Sequence, residues 1–448
     1  MKKTKKVFSV ILAVIVLLVA ANLIFRFYYQ FQFNRRVEAL AAQGYPVSLA
    51  DLEKDYVLPE GAANAADIYL EAFSYYQEPN EFEKQFLPIR GDYRWTDDVP
   101  PFPQEVINAI ESSLKANQKT LELLDQAADM EHCLWPRKLE KLKDIYFPQE
   151  YLKGIKVSGM MICERNLYLA QMHQPHQVFE SFQSVFALSE SGMEHPFLID
   201  YLVSVALKAM FNKNLELVLN QVEFTDSELK FLQKRFLEMQ DLSSYQEAII
   251  NDQAVLIIMY EMPFNKYSPS NSFSQYLPNS FYYLSGMAQK DKLLALNFYD
   301  QVLQASKLPP EELPSIINEI RRELDMYSSF HLYLNHLSGL ARISEISLRV
   351  LGNIRCAETA LGVERYRLAR GEVPARLEEL VPEFMEAVPA EPFDGEPLRY
   401  IRRADGGYTV YCIGKDWVDN GGLSKEQMAE QTGEADPEEY DWPFTVKR

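Results

Sequence analysis

The chain has 448 residues and a formal charge of −19, with 47% hydrophobic and 24% charged residues. That apolar content is enough for large buried cores and excludes a chain too polar to fold. Its acidity excludes a phosphate-backbone partner such as nucleic acid, and instead fits solubility and an affinity for divalent cations.

Lys2, Lys3, Lys5 and Lys6 precede Val7 to Phe25, an uncharged, mostly apolar run of 19 residues. At about 1.5 Å per residue the run nearly spans the roughly 30 Å hydrocarbon layer. Four lysines before it, against Arg26, Arg35 and Arg36 after it, predict a single pass with the N-terminus inside. The expected location is the cytoplasmic (inner) membrane, with the bulk of the chain periplasmic or otherwise extracytoplasmic. Val19-Ala20-Ala21 offers an alternative reading as a signal-peptide cleavage site. Against it, the apolar run continues through Phe25 and ends in Arg26-Phe27-Tyr28-Tyr29, a pattern of interfacial aromatics, so residues 1–26 read as cytoplasmic tip and retained anchor. Removing the four lysines leaves −23 on the remainder.

Residues 27–337 read as an α-helical domain, an irregular bundle or solenoid with no repeat of fixed period. Helices are expected over Ala62–Tyr76, Gln104–Asp129, Gln149–Met172, Gln174–Gly192, Pro196–Val222 and Thr225–Met262. Thr225 and Glu228 form a capping box, and Pro175 and Pro196 sit in first turns, where a missing N–H costs nothing. Residues 263–286, rich in Tyr, Phe, Ser and Asn, are expected to form a loop folded on the helices, with partner docking as the alternative. Further helices follow near Ala288–Ser306 and Pro310–Tyr327.

Residues 338–448 read as a small α+β module. A long helix over Leu337–Arg370 stops at Gly371 and Pro374. Leu377 to Val381 makes a short helix presenting Leu377, Leu380 and Val381 to the long one, and Pro392-Phe393-Asp394-Gly395 is a turn. Strands over Leu398–Arg402 and Tyr408–Ile413 are joined by Asp405-Gly406-Gly407, a strong hairpin signal. This order, followed by the Asp416-Trp417-Val418-Asp419-Asn420-Gly421-Gly422 loop, resembles the C-terminal half of the major (G-type) pseudopilin of type II secretion systems. The whole arrangement is similar to bacterial membrane-anchored helical proteins that carry such a tail.

The resemblance implies a calcium loop. Asp416, Asp419 and Asn420 supply oxygens of the kind calcium takes, and the resemblance adds Asp441, just before the last strand. Tight turns use the same residue types, so an ordinary turn is the alternative. The N-terminus departs from the pseudopilin pattern. No Gly precedes Phe8, no Glu follows it, and the module lies some 310 residues beyond the anchor, which speaks against a filament subunit.

Cys133, Cys163, Cys356 and Cys412 show no metal-like spacing, and apolar helical surroundings predict free buried thiols at Cys163 and Cys356. His173 and His176 form an H-x-x-H pair broken by Pro175, expected as turn chemistry. No nucleotide, hydrolase or zinc motif occurs. The expected function is therefore that of an extracytoplasmic binding or scaffold protein with a protein partner, in envelope assembly or secretion. Two alternatives stand beside it: a glycan-directed envelope hydrolase with acidic residues in a helical groove, and a structural module stabilised by calcium.

Overall fold

The computed structural model describes residues 2–93, 101–137, 150–260, 282, 284–327, 337–434, 436–437 and 439–447. Helix α1 (Lys2–Ala42) runs without a break for 41 residues. Phe8, Leu17 and Ile24 are 68–70% exposed, as expected of side chains whose solvent is not water. Lys6–Ala42 is, among the described residues, the one helix long and apolar enough to cross a membrane. Its last third changes character. Phe33 and Leu40 are buried, Arg36 pairs with Asp300, and Phe33 packs edge-on against Tyr260. The apolar run and the body thus share one helix.

The body follows as α2 (Leu49–Asp55), α3 (Ala65–Tyr75), α4 (Glu81–Phe86), α5 (Gln104–Ala116), α6 (Gln118–Ala128), α7 (Glu150–Gln171), α8 (Pro175–Glu190), α9 (Leu198–Leu219), α10 (Asp226–Glu238), α11 (Ser243–Tyr260), α12 (Met287–Ala305) and α13 (Leu313–Tyr327). A short connection packs α8 on α7, and contacts between helices more distant in sequence set α9 on α7, α3 on α6 and α1 on α12. The Thr225–Glu228 capping box forms as expected. Most of residues 263–286 lie outside the described residues.

Two expected helices are each divided in two. Gln104–Asp129 breaks at Asn117, whose side-chain amide donates to the Ser113 and Gln77 carbonyls and accepts from the Gln77 N–H. Asn competes for backbone partners, and here it stitches the break to the chain after α3. Thr225–Met262 breaks at residues 239–242, where the Asp241 carboxylate takes the Ser243 N–H at 3.0 Å and opens α11. In both places the apolar pattern runs on through the break and hides it.

Helix α14 (Leu337–Arg370) lies between α9 and α10 on one side and the sheet on the other. It ends at Gly371, φ +82°, whose N–H bonds the Arg367 carbonyl at 2.8 Å. Leu377–Leu380 is a 3₁₀ turn with Leu377 and Leu380 buried, but Val381 is 37% exposed. A period of about three residues puts 377 and 380 on one face and turns 381 away, which corrects the expectation for Val381.

Strands β1 (Arg399–Arg402), β2 (Tyr408–Cys412) and β3 (Trp442–Val446) form one antiparallel sheet with β2 in the middle. The register pairs Arg402 with Tyr408 and Cys412 with Trp442. The β1–β2 hairpin turns at Gly406, φ +85°, with Asp405 accepting the Gly407 N–H. Edge strand β3 is covered by α9. Glu216 accepts from the Thr445 N–H (3.1 Å), while Asn220 donates to the Thr445 carbonyl (3.0 Å) and accepts from the Lys447 N–H (2.6 Å). Pro443 has no N–H to offer, so this edge is closed to another strand. One buried apolar core runs from Phe33 on α1 to Val446 on β3. Helix α15 (Lys425–Thr432) lies between the Asp/Asn loop and β3.

Candidate functional site

Of the four residues predicted to hold a metal, Asp416, Asp419 and Asn420 lie in the loop after β2, and Asp441, just before β3, meets that loop through its backbone amides. Asp441 Oδ2 accepts the Asn420 N–H (3.0 Å) and the Gly422 N–H (2.6 Å). Asp416 accepts the Val418 and Tyr440 N–H groups, tying both ends of the excursion together. Asp419 Oδ1 accepts the Gly421 N–H and the Tyr411 hydroxyl, and its other oxygen lies 3.8 Å from Arg399. The carboxylates thus close the loop on its own amides. No group of three or more His, Cys, Asp or Glu side chains among the described residues is gathered closely enough to hold a metal. A cation here would need the Asn420 amide or backbone carbonyls as well. One oxygen fits that demand: Asp441 Oδ1 is buried and has no hydrogen-bond donor. Burial pushes the Asp441 carboxyl up to about 6 despite its two amide bonds, and the charges of Asp419 and Asp416 push the same way.

Asp441 also borders a groove of about 770 Å³, formed where α9, α14, β3 and α15 meet. Its floor is apolar, from Leu202, Val205 and Ala209 on α9 to Ile346 and Val350 on α14 and Trp442 on β3. Five cationic side chains line it (Lys213, Arg349, Arg403, Lys425 and Lys447) against three acidic ones, Glu216, Glu426 and Asp441. The local sign is thus opposite to that of a chain carrying −19. Arg349 stands over the Trp442 ring at 5.2 Å, and Lys425 over Tyr440 at 5.6 Å. Lys425 also pairs with Asp436, and Lys213 with Glu216 at 2.9 Å. Burial raises the Glu216 carboxyl, while Lys213 and the Thr445 N–H hold it back. Both raised carboxylates of the groove are therefore engaged in holding backbone in place.

These groove residues come from segments far apart in sequence, which explains why the sequence reading missed them. One local signal was available. Asn212 and Glu216 on α9 and Asn220 at its C-cap recur every four residues, a polar stripe that must meet something polar.

A second cavity, about 410 Å³, lies among α3, α6, α8 and α10 and is bordered by Glu131, Glu190, Glu194 and Glu238. Arg235 occupies its acidic wall, paired with Glu190 at 2.9 Å and Glu238 at 2.6 Å. His173 and His176 are turn and surface groups. His173 has φ +53°, and His176 meets Glu228 at 2.9 Å. Trp135 stacks on Tyr151 with ring centroids 4.6 Å apart and against Tyr69 and Phe73. Cys163 is a buried thiol as expected, and Cys356 faces Cys412 across the α14–β2 contact.

No known protein family, curated protein or solved structure matches this chain.

Proposed function

We propose that the chain is a membrane-anchored binding protein whose groove between α9, α14 and the C-terminal sheet takes an acidic, partly apolar segment of another protein. The observation behind this reading is the groove's make-up: five cations around an apolar floor in a strongly acidic chain. Its volume lies within the roughly 300–1,000 Å³ of ligand sites. Apolar floor and basic rim ask for a ligand with both characters, and cationic groups steer an acidic one from solution. The raised carboxylates, Glu216 and Asp441, are tied to backbone amides, which favours a binding groove over a glycan-cleaving one. In this reading the N-terminus is inside the cytoplasmic membrane and the body outside it. The tail's resemblance to the major pseudopilin supports a place in envelope assembly or secretion.

The test uses the full chain in detergent micelles and two fluorescent peptides, one of Glu and Phe and its counterpart of Lys and Phe. The acidic peptide is expected to bind, more weakly as salt rises, and to lose about tenfold in affinity for each 1.4 kcal/mol removed by Arg349→Glu with Lys425→Glu. Equal binding of the two peptides, or binding of neither, refutes the reading.

A second proposal concerns calcium as a stabiliser of the loop, and Asp441 Oδ1, buried without a donor, is the observation that favours it. Asp416, Asp419, Asn420 and Asp441 would hold the ion. Bound there, it would neutralise carboxylates that now repel one another.

A further inference from the structure

Cys356, on α14, and Cys412, the last residue of β2, place their sulfurs 3.6 Å apart although 56 positions separate them. Both are sealed from solvent, at 1% and 0% exposure. Gly352, one turn before Cys356, makes the approach feasible: a Cβ there would lie 2.9 Å from the Cys412 sulfur and 3.6 Å from Pro392. The helix thus presents a bare strip of backbone where the central strand's sulfur comes to rest. No other pair of the four cysteines is recorded in contact: Cys163 is buried in the α7–α9 region, where Asn214 bonds its carbonyl, and Cys133 lies beside α3.

We propose that Cys356 and Cys412 form a disulfide that fastens the central strand of the sheet to α14. A disulfide needs its sulfurs at about 2.05 Å, so the pair must close by roughly 1.5 Å, within the reach of side-chain rotation. The oxidant is a disulfide of another molecule, either a small thiol's or a dithiol oxidoreductase's. One cysteine thiolate attacks it, forming a mixed disulfide and releasing one thiol. The second cysteine then attacks the mixed disulfide at the protein sulfur and releases the other thiol. Two protein thiols and one external disulfide become one protein disulfide and two external thiols, with the two protons carried by the products. Burial holds the Cys412 thiol well above its ordinary value, so the folded, reduced pair is slow to react. The bond forms while the chain folds and is shielded afterwards. It fixes the sheet that forms one wall of the groove; the inference is independent of the groove's ligand and rests on the body lying on the oxidising side of the membrane.

The test reduces and unfolds the full chain in urea, then refolds it into detergent micelles in a buffer of reduced and oxidised glutathione. The refolded protein is then unfolded in urea with N-ethylmaleimide present, so that every free thiol is blocked, and the peptides are read unreduced by mass spectrometry. The expected result is a linked pair of peptides carrying Cys356 and Cys412, with Cys133 and Cys163 alkylated. Refolded protein with Cys356 and Cys412 both alkylated, or linked to other partners, overturns the proposal. Urea melts give a second reading. A reductant is expected to lower the midpoint of the native chain but leave Cys356→Ser unchanged, and equal sensitivity of the two proteins also overturns it.

Discussion

Glu358 offers a quantitative test of how α10, α14 and the tail are joined. It sits on α14, 5% exposed, accepting one long bond (3.3 Å) from Gln233 on α10, which also donates to the Phe384 carbonyl. Burial pushes its carboxyl up to about 7 from an ordinary 4.5, with Gln233 and Arg355 offsetting part of the cost. Between these values the unfolded chain has released its proton and the folded chain still holds it. The protonated group is therefore favoured in the fold at low pH, and stability is lost as pH rises from about 4.5 to about 7. Two and a half units correspond to about 3 kcal/mol, at about 1.4 kcal/mol per unit. Glu358→Gln keeps the shape and an acceptor for Gln233 but has no proton to lose. The stability difference between variant and native chain, from urea melts, is expected to move by about 3 kcal/mol in favour of the variant between pH 4 and pH 8. The other raised carboxylates titrate in both proteins and cancel. A difference that stays constant across that range would refute the reasoning.

Arg137→Ala strips the partner from Asp200 in a buried ion pair, 1% and 0% exposed at 2.7 Å, leaving Tyr151 as that carboxylate's remaining side-chain donor. A loss of roughly 3–5 kcal/mol is expected in urea melts, and a loss below about 1 kcal/mol would contradict the burial argument. Calcium is expected to raise the melting temperature relative to chelator in the native chain but not in Asp416→Ala with Asp419→Ala. Identical melts with and without calcium would leave the loop an amide-closed turn. Asn220→Leu removes that side chain's two bonds to the β3 segment, so the Lys447 amide is expected to exchange hydrogen faster while the Thr445 amide, held by Glu216, and those of β2 keep their protection.

Local chemistry was legible in the sequence wherever one short segment determined the outcome. The apolar run after four lysines, the Thr225 capping box, Gly371 closing α14 and the Asp405-Gly406-Gly407 hairpin each carry their cause within a few residues. Breaks at Asn117 and after Glu238 were hidden because apolar spacing continued through them, and only long-range partners such as Gln77 reveal the first. The Asp/Asn loop was found as a cluster, yet its carboxylates face the loop's own amides, an orientation no spacing rule gives. The groove could not be read from any one segment. Lys213 and Lys447 meet because Asn220 and Glu216 hold β3 against α9 across more than two hundred positions.

The continuity of α1 sets how the body is held. From Phe25, where the apolar run ends, to Leu40, buried in the body, lie fifteen helical residues, about 22 Å of rod. There is no flexible tether in that interval, and the rod is bolted to α12 through Arg36 and Asp300. The body is mounted on a bracket: its distance from the apolar run and its facing direction are fixed together by one helix. A lengthening of α1 by two residues between Phe25 and Phe33 would turn the body by about 200° relative to the apolar run as well as shift it by about 3 Å.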